Sequence, residues 1–215
     1  MEIYLEKIKA EDRYKILMGL IVPRPIAFIS TRSSDGHFNA APFSFFNIMA
    51  ADPPTVVIGI NHRPSGCKDT YSNIQATGEF VINIVSGTIA GAMNQCSLES
   101  PTGIDEFDLS GLTPEASMVV RAPRVKEAPA NLECRLSQMV SISPTRKIIV
   151  GTIVHISAAD AIVGPTYRID QNKLDAVGRM GGSMYARTNN LFSMERPDTE
   201  AVLSEYGKRK AISPY

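Results

Sequence analysis

Residues 30–47 read STRSSDGHFNAAPFSFFN, and this stretch combines a strong turn signal with an unusual strand. Asp35-Gly36 lies between two apolar, strand-like halves and predicts a β-hairpin, because glycine tolerates a positive φ. Pro42 has no amide N–H, so the second strand is predicted to lie at a sheet edge or at an interruption.

The strand after the turn has two interpretations. Asn39, Ser44 and Asn47 offer hydrogen-bonding groups, whereas residues 40–42 are small and leave the backbone uncovered. Small side chains beside amide donors are what a flat, polar-edged ring needs in order to lie against the main chain. The alternative is a surface hairpin with a wide turn, and this stretch alone leaves both open.

The composition is that of an ordinary globular protein. The 215 residues are 44% hydrophobic and 20% charged, enough for one large domain or two small ones with a real core. Lys plus Arg equal Asp plus Glu at 22 each, so the whole chain has no bias towards nucleic acid or anionic membranes. Any anion site must be a local cluster.

The cysteines and the apolar segments indicate the cellular compartment of the protein. Cys67, Cys96 and Cys134 are far apart and in no metal-type spacing, so they are expected to be reduced thiols. The N-terminus lacks the apolar core of a signal peptide, and the run 148–159 is too short to span a bilayer. The default expectation is a soluble cytoplasmic protein without a nucleic-acid or membrane partner.

Periodicity and breakers predict one antiparallel, β-rich domain over residues 1–215, a small barrel or a sandwich with peripheral helices. Asp69 or Thr70 is expected to cap the second helix and Gly78 to end it, and a bulge is expected near Gln138. The predicted helices are 10–21, 69–76, 88–96 and 199–206, and the main predicted strands are 26–29, 55–60, 79–85, 132–142 and 147–157.

Residues 97–130 show little periodicity, and a connection of that length is usually functional or lies over other structure. Familiar catalytic motifs are absent from the sequence: it has no Gly-x-Ser-x-Gly, no P-loop and no His-Glu-x-x-His. His155 sits in an apolar strand, where a structural histidine is more common than a ligand or a base. We therefore identify no catalytic side chain and no metal site.

A candidate anion site precedes the second helix. Arg63, Ser65, Gly66 and Lys68 crowd a loop where free N–H groups and the helix dipole favour phosphate. Asp69 argues against it, because it brings a like charge and competes for the same donors. A solvated loop is the alternative. Together with the small-residue strand, this loop suggests a cofactor with one flat ring and one phosphate, such as FMN.

The sequence resembles the flavin reductase-like, FMN-binding family that includes the flavoredoxins. The resemblance runs in order along residues 10–197 and leaves only the tail after Pro197 outside. The segments that carry it are residues 23–31, 35–36, 39, 41–47, 52–54, 68–70, 73–74, 78–81, 83, 107, 111–114, 132–134 and 178–187.

The resemblance implies a split β-barrel homodimer that binds FMN non-covalently near the subunit interface. It places the isoalloxazine ring and ribityl chain against the small-residue strand and the phosphate near the 63–70 loop, with a weaker pointer to the 181–187 segment. The implied cofactor-binding residues are Ser30, Thr31, Asn39, Ala40, Ala41, Ser44, Phe45, Phe46, Asn47, Arg63, Ser65, Lys68, Asp69, Thr70, Tyr185 and Arg187.

Three functions are consistent with these features. The first is an NAD(P)H-dependent flavin reductase, in which FMN carries the chemistry and passes electrons to a flavin or another small-molecule or protein acceptor. The second is a flavoredoxin-like electron carrier that has no NAD(P)H turnover of its own. The third is a β-barrel interaction module without a cofactor.

Overall fold

The computed structural model describes residues 1–62, 66–98 and 104–212, with the side chains of 209–212 left out. The helices are α1 (Ala10–Leu20), α2 (Asp69–Thr77), α3 (Ala90–Gln95), α4 (Glu106–Ser110), α5 (Gln171–Leu174) and α6 (Thr199–Ile212). The strands are β1 (Arg24–Pro25), β2 (Ala27–Arg32), β3 (Phe38–Phe43), β4 (Phe46–Ala51), β5 (Pro54–Asn61), β6 (Glu79–Ile84), β7 (Pro114–Glu115), β8 (Arg124–Val125), β9 (Ala130–Ser143), β10 (Arg146–Ala158), β11 (Val177–Arg179) and β12 (Tyr185–Arg187).

Seven strands form one antiparallel sheet in the order β3-β2-β6-β9-β10-β5-β4. The edge strands β3 and β4 are joined by only Ser44 and Phe45. Two extended residues span at most about 7 Å, so the sheet must curl until its two edges meet. The N–H of Gly59 in β5 donates to the carbonyl of Phe45 at 2.7 Å and fixes this junction. The curled sheet confirms the predicted barrel.

The inside of the curled sheet is a closely packed apolar core. Alternate residues of β2, β5 and β6 point into it, as the two-residue period of a strand requires. Gly151 makes room for Phe80, because a Cβ on Gly151 would lie 2.5 Å from Phe80 Cζ. Tyr71 and Ile74 of α2 join the same core, so α2 is held against the barrel.

A second core lies between the outside of the sheet and helices α3 and α4. It contains Phe28, Ala40, Met93 and Phe107, all of them buried. The predicted helix at 88–96 is confirmed, with Ile89, Met93 and Cys96 on its buried side. This second core places α4 directly over β3, the strand of the opening hairpin.

The opening hairpin is confirmed. Thr31 pairs with Asn39, and Gly36 in the turn has a φ of 101°. The second strand, β3, is the edge strand that Pro42 predicted.

The predicted bulge is also confirmed. Gln138 pairs with Val150 and Leu136 pairs with Gly151, which leaves Ser137 as the extra residue. Helix α6 is longer than predicted and extends to Ile212.

The predicted cap of α2 is wrong. The N-cap residue is Lys68, and its side chain makes no capping hydrogen bond. The hydroxyl of Thr70 instead donates to Asn39 Oδ1 at 2.8 Å, because a buried network is nearer than the helix end. The C-cap prediction is confirmed, since Gly78 has a φ of 71°.

The long connection lies over the barrel and is held by Glu133 of β9. The Glu133 carboxylate is fully buried and accepts hydrogen bonds from the N–H groups of Met118, Val119 and Val120 at 2.7–3.1 Å. His155 Nδ1 lies 3.0 Å from the same carboxylate. This contact gives His155 a structural role, as its position in an apolar strand suggested.

Within the described residues, no helix is long and apolar enough to cross a membrane, and no group of three or more His, Cys, Asp or Glu residues is placed to hold a metal ion. All three cysteines are free thiols, and Cys96 and Cys134 are buried. Burial raises the pKa of both buried thiols.

Candidate functional site

Asn39 stands at the centre of a buried polar network on β3. Its Oδ1 accepts hydrogen bonds from Thr70 at 2.8 Å and from Thr31 at 3.3 Å, and its Nδ2 donates to Glu106 Oε2 at 2.9 Å. Asn73 of α2 donates to the Thr31 hydroxyl at 3.0 Å. The network ties β2, β3, α2 and α4 together, so Asn39 is a positioning residue of this site.

Glu106 covers part of the free edge of β3. The N–H of Ala40 donates to Glu106 Oε2 at 3.2 Å, away from the neighbouring strand. In an antiparallel strand, residues two apart point their amide groups in the same direction. Position 42 therefore faces away from β2, as Ala40 does, and the missing N–H of Pro42 removes no hydrogen bond between the two strands. The edge amide of Ala40 is therefore already bonded.

The small residues of β3 differ in exposure. Ala40 is fully buried in the core beneath α4, whereas Ala41 and Pro42 keep part of their surface. Ala41 packs against the core inside the barrel, whereas Pro42 lines a surface cleft, so a ligand in that cleft meets Pro42.

Ser30 and Thr31 are also fully buried. Ser30 donates to the carbonyl of Pro123 at 2.5 Å and accepts a hydrogen bond from Asn83 at 2.9 Å. These contacts give the two hydroxyls a supporting role, and their contact with a flavin stays a prediction.

The N-terminus of α2 offers donors for an anion. The N-cap residue Lys68 makes no capping hydrogen bond to the first amides of α2, which are the donors that a helix N-terminus leaves for other partners. Lys68 Nζ lies 5.1 Å from the centre of the Phe43 ring, which brings its charge over the end of β3. Arg63 and Ser65 lie outside the described residues, so their predicted role stays a prediction.

Two clefts flank β3. The first, about 280 Å³, lies by the hairpin turn and is lined by Asp35, His37, Asn39, Asp69 and others. The carboxyl groups of Asp35 and Asp69 both line this cleft, and a hydrogen bond from Ser33 lowers the pKa of Asp35. An acidic cleft disfavours a phosphate, which points to the Lys68 side of α2 instead.

The second cleft, which we call the Tyr185 cleft, has a volume of about 240 Å³. Pro42, Phe43 and Ser44 form one wall, and Tyr185 and Arg179 form another. Tyr185 donates to Asn94 Oδ1 at 3.0 Å, and the Arg179 guanidinium lies 4.5 Å from the Tyr185 ring centre. Aromatic walls and a nearby cation suit a planar, electron-poor ring.

The junction between β3 and β4 leads into a third cleft under α1, which we call the α1 cleft. Ser44 lines both the Tyr185 cleft and the α1 cleft, and Phe45, Phe46 and Asn47 line the α1 cleft. Ser44 therefore joins the two clefts, with Tyr185 in one of them and Phe45, Phe46 and Asn47 in the other.

Arg187 lies apart from these clefts. Its guanidinium pairs with Asp175, with Nε 3.1 Å from Oδ1, and this pair lowers the pKa of the Asp175 carboxyl. The pair closes over Gly87, where a Cβ would collide with the Arg187 guanidinium. The predicted cofactor contact of Arg187 stays a prediction.

Three residues that sequence reasoning did not assign prove central to the site: Arg24, Glu106 and Arg179. Glu106 lies in the long connection whose length signalled a function, but its partner Asn39 is 67 residues away. Arg179 lies in the glycine-rich segment that carried part of the family resemblance. Arg24 carried no local signal beyond its place between two prolines.

Comparison with known proteins agrees with this architecture. Residues 18–174 match the family model described as the flavin reductase like domain. The chain is 32% identical to nitrilotriacetate monooxygenase component B from Bacillus cereus, with a TM-score of 0.87 over 90% of this chain and 98% of that chain.

Two further solved structures have the same fold. The chain is 31% identical to 2-nitrobenzoate 2-nitroreductase from Pseudomonas fluorescens, with a TM-score of 0.86 over 93% of this chain and 98% of that one. It is 25% identical to a split-barrel protein of the flavin reductase type from Shewanella frigidimarina, with a TM-score of 0.81 over 92% of this chain and all of that one. The fold is thus a split β-barrel.

Proposed function

The chain belongs to the flavin reductase-like domain family, and we propose that it is an FMN-dependent oxidoreductase that takes electrons from NAD(P)H. The observation that carries the proposal is the arrangement along β3. Lys68, at the N-terminus of α2, brings its charge over Phe43 at the end of the strand, and Phe43 also lines the aromatic Tyr185 cleft.

The residues present fit FMN in two respects. Lys68 and the N-terminus of α2 suit a phosphate monoester, because the helix dipole and the charge of Lys68 act in the same direction, whereas Asp69 in the first turn of the helix opposes them. The Tyr185 cleft lies next to Phe43, over which Lys68 extends, so ring and phosphate sites are neighbours. A single phosphate site favours FMN over a dinucleotide flavin.

In the proposed reaction the bound FMN supplies hydride and electron transfer, and the side chains bind and orient. Pro42 and Tyr185 form the walls for the ring, and Asn39 and Glu106 hold β3 in place. The Arg179 cation favours negative charge at the ring, which assists reduction of the flavin. The acceptor of these electrons would be a flavin or another small-molecule or protein acceptor.

We also propose that the protein acts as a homodimer in the reducing cytoplasm. Apolar side chains remain exposed on the long strands and on β4: Ile48, Met49, Ile142, Val154 and Ile156 are 39–66% exposed. Exposed apolar surface of this kind marks an interaction site. The three free thiols are consistent with a reducing compartment. Light scattering of the eluted peak gives the oligomeric mass, and a monomer at micromolar concentration would contradict the dimer.

The experiment that tests the reductase is steady-state oxidation of NADH and of NADPH by the FMN-loaded protein, with free flavin as acceptor. We expect turnover that depends on both FMN and acceptor. Tight FMN binding without turnover with any acceptor would contradict the reductase and favour the electron carrier. Failure to bind FMN would contradict both.

A further inference from the structure

We propose that the α1 cleft is a binding site for a second ligand, a planar aromatic carboxylate held beside the flavin bed. The inference rests on the proposed function for its position next to FMN, but the cleft itself is defined by this chain alone. The α1 cleft would thus select aromatic carboxylates.

The shape and walls of the cleft suit a small aromatic molecule. Its volume is about 450 Å³, within the range of about 300–1,000 Å³ typical of small-molecule sites. Leu17 and Ile21 of α1 form one wall, and Phe45 and Phe46 form another. Leu17, Ile21 and Phe45 are 39%, 60% and 38% exposed, so apolar surface is available to a ligand.

The cleft also contains a buried cation whose contacts are all neutral. Arg24 is only 7% exposed. Its Nη1 donates to the carbonyls of Met18 and Ile21, its Nη2 to the carbonyl of Met180, and its Nε to Ser44 Oγ, at 2.8–3.4 Å. Among the described residues Arg24 has no ion pair, and one of its five N–H groups, on Nη2, has no partner.

A buried charge is normally paired, because water no longer solvates it. Among the described residues that line the cleft, Arg24 has the one charged side chain. A carboxylate entering the cleft would supply the missing counter-charge. It would accept from the spare Nη2 N–H and from the hydroxyl of Ser44, whose oxygen already accepts from Arg24 Nε. Apolar walls around a single cation therefore select an aromatic acid.

The position of the cleft connects it to the proposed reaction. Ser44 lines both the α1 cleft and the Tyr185 cleft. A ligand bound to Arg24 and Ser44 is thus adjacent to the ring predicted in the Tyr185 cleft, and Phe45, Phe46 and Asn47, which the family resemblance assigns to FMN, would then contact this second ligand instead. Two ligands held side by side are what transfer between a flavin and a small molecule requires.

The test is a fluorine NMR titration of para-fluorobenzoate against the full chain, with and without saturating FMN. The neutral probe para-fluorobenzamide has the same ring without the charge. The variant is Ile21→Glu, which places a negative charge on the cleft wall. The matched control is Leu20→Glu, on the adjacent residue, which is 75% exposed and does not line the cleft. Both positions are exposed, so both variants should fold.

We expect saturable binding of the benzoate both with and without FMN. The benzamide should bind at least about fivefold more weakly than the benzoate. Ile21→Glu should bind the benzoate about tenfold more weakly than the wild type, and Leu20→Glu should not. Equal binding of the two probes, equal effects of the two variants, or displacement of the benzoate by FMN would overturn the proposal. If the protein takes up no FMN, the proposed function fails while the titration without FMN still decides the cleft.

Discussion

The side-chain amide of Asn39 donates a 2.9 Å hydrogen bond to the buried carboxylate of Glu106, joining β3 to α4 across 67 residues of chain. The same carboxylate accepts from the N–H of Ala40, so it holds both the side chain and the backbone of the strand. The strand on which the cofactor is predicted to lie is therefore fixed by the long connection that follows α3.

This relationship predicts coupling between the two residues. Asn39→Ala and Glu106→Gln should each lower the free energy of unfolding by about 1–3 kcal/mol, because each leaves buried polar groups without partners. The double variant should lose less than the sum by at least about 0.5 kcal/mol. Urea unfolding measures all three. The surface variant Ser137→Ala is the control, and additive losses would contradict a direct interaction. We also expect Asn39→Ala to retain FMN less well.

Lys68→Ala should weaken FMN binding about tenfold through loss of one charge-assisted contact, with little change in stability. The dissociation constant can be measured by quenching of flavin fluorescence. Lys173→Ala is the matched control. Lys173 is an exposed lysine that pairs with Asp170, and both residues are far from Lys68 in the sequence. Equal affinities for the two variants would remove Lys68 from the phosphate site.

Glu133→Gln should destabilise the protein by about 2 kcal/mol or more, because a neutral amide cannot accept three backbone hydrogen bonds as a carboxylate does. Burial raises the pKa of Glu133, but the N–H groups of Met118, Val119 and Val120, together with His155, outweigh it and lower the pKa below its usual range.

The sign of the pH effect follows from that lowered pKa. A lowered pKa stabilises the fold above the ordinary pKa of about 4.3, and the gain is lost as the pH falls through the folded-state value. The stability of the wild type should therefore fall more steeply below about pH 4.3 than that of Glu133→Gln. Acid titrations of both proteins, followed by circular dichroism, measure this difference. Equal loss of stability with pH in the wild type and in Glu133→Gln would contradict the prediction.

Gly151→Ala should destabilise by about 1–3 kcal/mol, because the new methyl group collides with the Phe80 ring inside the barrel. Gly19→Ala is the contrasting control. A Cβ there meets nothing within 4 Å, and alanine in place of glycine in α1 should stabilise by about 0.5–1 kcal/mol. Thermal unfolding of both variants measures the contrast. If Gly151→Ala left the stability unchanged, the Phe80 ring would be free to move away from the new methyl group.

Local signals in the sequence predicted much of the fold. Asp35-Gly36 predicted the hairpin, Pro42 predicted the edge strand, and Gly78 predicted the end of α2, because each acts through its own backbone geometry. The cap of α2 was mispredicted because Thr70 had a better partner in Asn39, and that partner becomes close only when β3 and α2 pack together.

The site depends more on distant contacts. Asn39 was identified as a site residue, but its partner Glu106 could not be, since nothing local in the connection marks a carboxylate that will reach β3. Arg24 likewise acquires its meaning from α1, Ser44 and Met180, which surround it only in the folded chain.

The most direct test of the central claim is the visible absorption spectrum of the purified protein incubated with FMN, freed of unbound flavin, and read before and after anaerobic addition of NADH or NADPH. We expect flavin bands that remain with the protein and bleach with at least one of the two donors. A protein that retains no flavin, or a bound flavin that bleaches with dithionite but with neither nicotinamide, would contradict it.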